Sequence, residues 1–191
     1  MALTYPLSLP TTIGIAQIEF RAINATAFSQ SPFTYSQQVQ TWPGAMWQAD
    51  VSLPPMNRPA AEEWVAFLLS LRGRYGTFYL NDPLSSQPRG TATTLTITGD
   101  EYSTSVTATV DGTLKAGDWF NTSTYGLHKV TKDLASSGTM EIWPPLREDI
   151  VAGSCNLDSA KGIFRLSSNE TPWSIKEMNQ YGITFGAMEA L

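Results

Sequence analysis

Histidine and cysteine are nearly missing from this chain: one of each occurs in 191 residues. That scarcity removes most reaction machinery at once, because Cys-His and Ser-His nucleophile arrangements and Cys/His zinc sites have almost nothing to be built from. Cys155 has no partner within the chain, so no internal disulfide forms, and its expected role is that of a small buried residue. Basic clusters are missing too. Twelve Lys and Arg stand against 17 Asp and Glu for a net charge of −5, which leaves phosphate attraction without a source and argues against specific nucleic-acid binding. No apolar run approaches the roughly 20 residues of a membrane span, and MALTYPLSLP lacks the basic start and uninterrupted apolar stretch of a signal peptide. A soluble protein made in the cytoplasm is expected. There is no phosphate loop, dinucleotide fingerprint, spaced metal-ligand set, internal repeat or low-complexity tract. The expectation is therefore no enzyme, no cofactor and no metal, with function carried by surfaces.

What the chain does have is concentrated between Trp42 and Pro83. Trp47, Ala49, Val51 and Leu53 alternate with Gln48, Asp50 and Ser52, the period-2 pattern of a strand with one buried face. A helix over about 59–72 follows. Asn57 or Arg58 serves as N-cap, Pro59 sits where a missing N–H is harmless, and Glu62 and Glu63 are expected in the first turn, where the helix dipole favours negative charge. Trp64, Phe67, Leu68 and Leu71 form one apolar stripe, and Gly73 supplies the stop. Gly76 to Leu80 reads as another strand, ended by Asn81-Asp82-Pro83.

After Asp82 the texture changes. Residues 84–94 are polar and rich in turn formers, a crossing point between two units. Short β signals follow at Leu95–Ile97, Ser103–Val110, Trp119–Phe120, Leu127–Thr131 and Met140–Trp143, separated by Gly- and Asp-containing turns. From Gly162 onward the earlier aromatic texture returns. The predicted architecture is mainly β: a β-sandwich with one flanking helix, formed by residues 1–86 and 160–191, carrying an inserted small β-barrel over 88–159.

Several segments together carry a resemblance. FSQSPFTYSQQVQTWPGAMWQADVSLPPMNRPAAEEWVAFLLSLRGRYGTFYLNDP, LKAGDWF, LHKV, IWPPLRE and KGIFRLSSN resemble the tail-tip proteins of long non-contractile-tailed bacteriophages, in particular the distal tail proteins. The likeness spans most of the chain and rests on aromatic and turn positions, not on a catalytic signature. It implies a tail-tube-like main domain, and a homo-oligomer of six copies forming a ring between the tail tube protein and the tail-tip hub protein. It also implies location in the virion tail tip after assembly in the host cytoplasm, with DNA passing through the ring. Some members carry a small oligonucleotide/oligosaccharide-binding-like barrel, and the 88–159 insertion would match it. A tail tube or tube-completing subunit is a related alternative.

Particular residues can then be weighed. Ala27 to Gln40 is polar and β-prone, and Phe28, Phe33 and Tyr35 are candidate inter-subunit contacts, either as anchors of an arm on a neighbouring subunit or as the core of a local hairpin. Trp119, Tyr125 and Trp143 are the residues with which a carbohydrate-binding module would stack on sugars, though their places beside turns also suit barrel packing. His128 is expected to be a surface or packing residue. The adjacent pairs Glu62-Glu63 and Glu148-Asp149 cannot flank a substrate as a glycosidase pair does, and Asp50 and Asp82 give no reason to be paired. Met46, Met56, Met140 and Met178 are expected as core fillers.

Overall fold

The computed structural model describes residues 3–176 and 180–191. The chain is mainly β, with one helix among the described residues. In order the elements are β1 (Gln17–Gln30), β2 (Gln37–Ser52), α1 (Arg58–Ser70), β3 (Thr77–Asn81), β4 (Leu95–Gly99), β5 (Ser105–Val110), β6 (Trp119–Asn121), β7 (Leu127–Val130), β8 (Gly138–Trp143), β9 (Ile150–Cys155), β10 (Lys161–Leu166), β11 (Trp173–Lys176) and β12 (Gln180–Glu189). They form two six-stranded sheets.

The first sheet runs β1-β2-β12-β10-β3, with β11 added on β12. β12 is its spine. One edge of β12 pairs with β2 from Thr184↔Ser52 to Met188↔Gln48, while the other pairs with β10 near Glu189 and with β11 from Gln180 to Ile183. The alternation in β2 places Trp47, Ala49, Val51 and Leu53 inside, where Phe78, Leu80, Phe164, Leu166, Ile183 and Phe185 join them. α1 covers this face. Its stripe of Trp64, Phe67, Leu68 and Leu71 is fully packed, with Trp64 6.2 Å from Phe185 and Phe67 5.7 Å from Phe78 between ring centres. Each such side chain contributes about 1.5–3 kcal/mol by leaving water. Asn57 is the N-cap, but its side chain makes no capping bond, and Glu62 and Glu63 lie beyond the first turn. The dipole argument for those two residues therefore fails, and tertiary burial holds the helix. Gly73, at φ +68°, turns the chain as the stop signal requires.

The second sheet runs β6-β7-β8-β5-β4-β9 and is built wholly from the stretch between β3 and β10. Its two ends meet: Asn121 N–H donates to the Asn156 carbonyl at 3.0 Å and Asn156 N–H returns the bond at 2.9 Å. The sheet thus curls on itself around Leu95, Ile97, Val106, Phe120, Met140 and Leu146. β9 has no counterpart among the expected strands, since IVAGSC offers no apolar alternation and holds Ala152 at φ +49°. Met56 and Met140 are buried as expected, Met46 is half-buried, and Met178 lies outside the described residues.

Aromatic packing joins the sheets. Trp47 lies 4.4 Å from Trp143 and 4.8 Å from Trp119 between ring centres, Phe20 lies 5.4 Å from Trp119, and Trp47 Nε1 donates to the Leu127 carbonyl at 2.9 Å. Beside this seam the ion pair Arg147–Glu189, at 2.9 Å, ties the loop after β8 to the end of β12. Burial raises the Glu189 carboxyl above its usual range, while Arg147 and the Trp47 N–H pull it back.

A second clamp holds the connection from β3. The buried Asp118 carboxylate accepts from the backbone N–H groups of Arg89 (2.9 Å), Gly90 (3.2 Å) and Lys115 (2.8 Å). Asp118→Ala leaves three donors unpaired at a cost of about 1–3 kcal/mol each where they stay buried. A loss of about 3 kcal/mol or more in urea unfolding is expected. An unchanged midpoint would show that water replaces the carboxylate.

Candidate functional site

β1 and β2 extend well beyond the body of the protein. Their outer ladder, Thr26↔Thr41 to Gln30↔Gln37, forms a hairpin arm that projects roughly 17 Å, at about 3.4 Å per residue, before the turn. Ser31 closes that turn: its N–H donates to the Ser36 carbonyl at 3.0 Å, its carbonyl accepts from Tyr35 N–H at 2.9 Å, and its Oγ accepts from Phe33 and Thr34 N–H. The arm leaves the body at a register break between Asn24 and Thr26, where Trp42, Pro43 and Gly44 stand opposite Ala25. Pro43 has no N–H for the ladder, and a Cβ on Gly44 would approach Ala25 Cβ to 3.3 Å.

The arm's surface is unusual in two ways. Phe28, Val39 and Trp42 are more than half exposed, Tyr35 is 73% exposed and Phe33 93%. Phe28 and Val39 are direct cross-strand partners, so they share one face. No Asp, Glu, Lys or Arg occurs anywhere from Ala22 to Ala49. The segment is thus a hairpin within the subunit, but Phe28, Phe33 and Tyr35 lie outside any core of their own. Among the described residues both edges of the arm are unpaired, because β12 reaches β2 only from Gln48 onward.

A further free edge lies across the same sheet. Among the described residues β11 pairs with β12 alone, on one side, and its Trp173 and Ile175 are exposed. The β3 edge, by contrast, is covered by the N-terminal segment: Leu7 N–H donates to the Thr77 carbonyl and Tyr79 N–H to the Leu7 carbonyl, each at 2.9 Å. The exposed β11 edge and the charge-free run were not singled out in the sequence reading. The run is legible there as a gap in charge, whereas the edge depends on topology.

The remaining candidates disperse. His128 is buried, stacked on Phe120 at 5.3 Å, and its Nδ1–H donates to the Pro144 carbonyl at 2.9 Å. Trp119 is buried, with Nε1 donating to Asp82 Oδ2 at 3.2 Å, and Trp143 packs on Trp47 with Nε1 donating to Asn24 Oδ1 at 2.8 Å. Neither ring is offered to a ligand. Tyr125 is half-buried beside Tyr79. Asp50 pairs with Arg21 at 2.6 Å and Glu62 with Arg58 at 3.4 Å, while Glu148 accepts from Thr124 Oγ1 and Asp149 from Glu101 N–H, both at 2.7 Å. Among the described residues no group of three His, Cys, Asp or Glu converges as metal ligands would. Burial pushes the Cys155 thiol up to about 12, so it stays protonated.

The fold and this surface define a mainly β, two-sheet protein that presents an uncharged hairpin arm. The chain matches no protein-family model and no curated protein.

Burial, together with the nearby Arg147, lowers the His128 pKa from 6.5 to about 4, against the opposing bond to Pro144. The folded value lies below the unfolded one, so stability is complete above pH 6.5 and falls as pH drops towards 4, where the unfolded chain alone takes the proton. The full loss is about 3 kcal/mol. Urea midpoints between pH 7 and 4 should fall more steeply in the parent than in His128→Phe. Parallel profiles would show that His128 does not titrate as described.

Proposed function

We propose that this chain is a structural subunit of a bacteriophage tail tip, forming a ring that joins the tail tube to the tip hub. One observation carries the reading: a single sheet has an uncharged, aromatic arm on its β1–β2 side and an open strand, β11, on the opposite side of β12. Two different free edges on one subunit suit a head-to-tail contact, which closes into a ring when the rotation between copies allows it. Strand addition supplies main-chain hydrogen bonds, and exposed aromatic rings supply the anchors. The resemblance to distal tail proteins supports six copies and a ring at the tail's end. A net charge of −5 suits a channel that DNA crosses without sticking.

Light scattering on the purified protein is expected to give six times the monomer mass of 20.9 kDa, and six-fold density is expected at the distal end of whole tails. The double variant Phe28→Asp and Val39→Lys should weaken assembly at least thirtyfold, since a buried aromatic anchor is worth about 2 kcal/mol or more. A monomer combined with no density at the tip would sink the assignment.

A further inference from the structure

We propose that a small cavity beside Gly126, in the second sheet, is a binding site for one water molecule, through which His128 positions Arg147. The cavity measures about 10 Å³, and its wall includes Thr122, Gly126, His128, Leu146, Arg147 and Glu148. That is about the least space in which one water molecule fits, and it excludes any larger guest.

The wall brings together polar groups that the protein itself leaves incompletely bonded. His128 is 1% exposed, and its Nδ1 lies 2.9 Å from the Pro144 carbonyl. A carbonyl only accepts, so Nδ1 carries the proton and Nε2 presents a lone pair. That lone pair belongs to the side of the ring facing Gly126: a Cβ added to Gly126 would lie 3.1 Å from His128 Nε2 and 3.1 Å from Thr122 Oγ1. Thr124 Oγ1 donates to Glu148 at 2.7 Å, so the 3.0 Å bond between the two threonines runs from Thr122 to Thr124. Thr122 Oγ1 therefore has its proton committed. It accepts from Gly126 N–H at 3.1 Å and keeps one further lone pair. Arg147 supplies a donor. Its Nη2 is held by Glu189 Oε2 at 2.9 Å and by the Ala45 carbonyl, but its Nε is buried and meets no acceptor among the described residues. Buried donors of this kind are rarely left unpaired.

The donor and acceptor pattern selects the guest. Arg147 Nε–H needs an acceptor, whereas His128 Nε2 and Thr122 Oγ1 need donors. A metal cation is opposed by the guanidinium, and an anion by the imidazole lone pair and the Glu148 carboxylate. Water accepts one bond and donates two, which satisfies all three groups and matches the usual bonding of a buried water. The consequence reaches beyond the cavity, because Arg147 crosses from the loop after β8 to Ala45 and Glu189 of the first sheet. With Nε–H held on its inner side, the guanidinium plane is fixed and its Nη2 edge is aimed at those partners. His128 acts on that contact through the water as a positioning residue.

The test is a high-resolution crystal structure of the full chain. One ordered solvent peak is expected about 2.7–3.2 Å from Arg147 Nε, His128 Nε2 and Thr122 Oγ1. A dry cavity, or a protein acceptor at Arg147 Nε, overturns the proposal. Gly126→Ala places a methyl group in the cavity and should remove the peak with an unchanged circular dichroism spectrum, whereas a peak retained in the same place overturns the assignment. The positioning role is read from a double-mutant cycle of His128→Phe, which keeps a ring against Phe120, and Arg147→Met, by urea unfolding at about pH 8, where a neutral imidazole has no charge coupling to Arg147. The unfolding constants should depart from additivity at least fivefold. A smaller departure shows that His128 does not act on Arg147 and overturns that role.

Discussion

Trp47 is the residue through which the two sheets are fixed to each other. It belongs to β2, yet its indole donates to Leu127 of β7 and its ring packs on Trp119 of β6 and Trp143 of β8. Its backbone N–H donates at 3.1 Å to Glu189 of β12, which Arg147 of the loop after β8 also holds. Directional bonds at both ends of one rigid aromatic residue specify position more sharply than apolar area alone, because a rotated ring would orphan its N–H in a dry seam. The connections from β3 to β4 and from β9 to β10 would permit many arrangements of the two sheets. This seam selects one.

Much of this was legible in the residues, wherever burial enforces periodicity. The alternation from Trp47 to Leu53 and the stripe from Trp64 to Leu71 point inward as their spacing demands. Local signals that depend on exact helix ends were weaker: the helix begins at Arg58, so Glu62 and Glu63 miss the first turn. β9 escaped because its partner supplies what its own sequence lacks. Ile150–Cys155 is held by backbone pairing to β4, with Gly153 opposite Ile97, and neither pattern nor propensity announces it. The sites were least legible. Phe28, Phe33 and Tyr35 are aromatic in either a core or a contact surface, and only the fold places them outside.

An uncharged arm with two open edges runs against the usual protection of edge strands by charge, proline or cover. Only Pro43, at its base, follows that rule. The charges of this protein all lie outside Ala22–Ala49, so two copies repel through their bodies while their arms neither attract nor repel at long range. Such a division slows indiscriminate association and leaves contact to short-range forces, namely strand pairing and ring burial, which act only in register. An edge left open at that risk fits the ring we propose, in which a neighbouring copy would cover it.

The second sheet brings its two ends together by backbone bonds. A pair of bonds between Asn121 and Asn156 joins its two ends at one point, and Asn121 Oδ1 also accepts from Lys161 N–H at 3.2 Å where the chain returns to the first sheet. The curl of the second sheet and its return to the first are thus set at the same residue, Asn121.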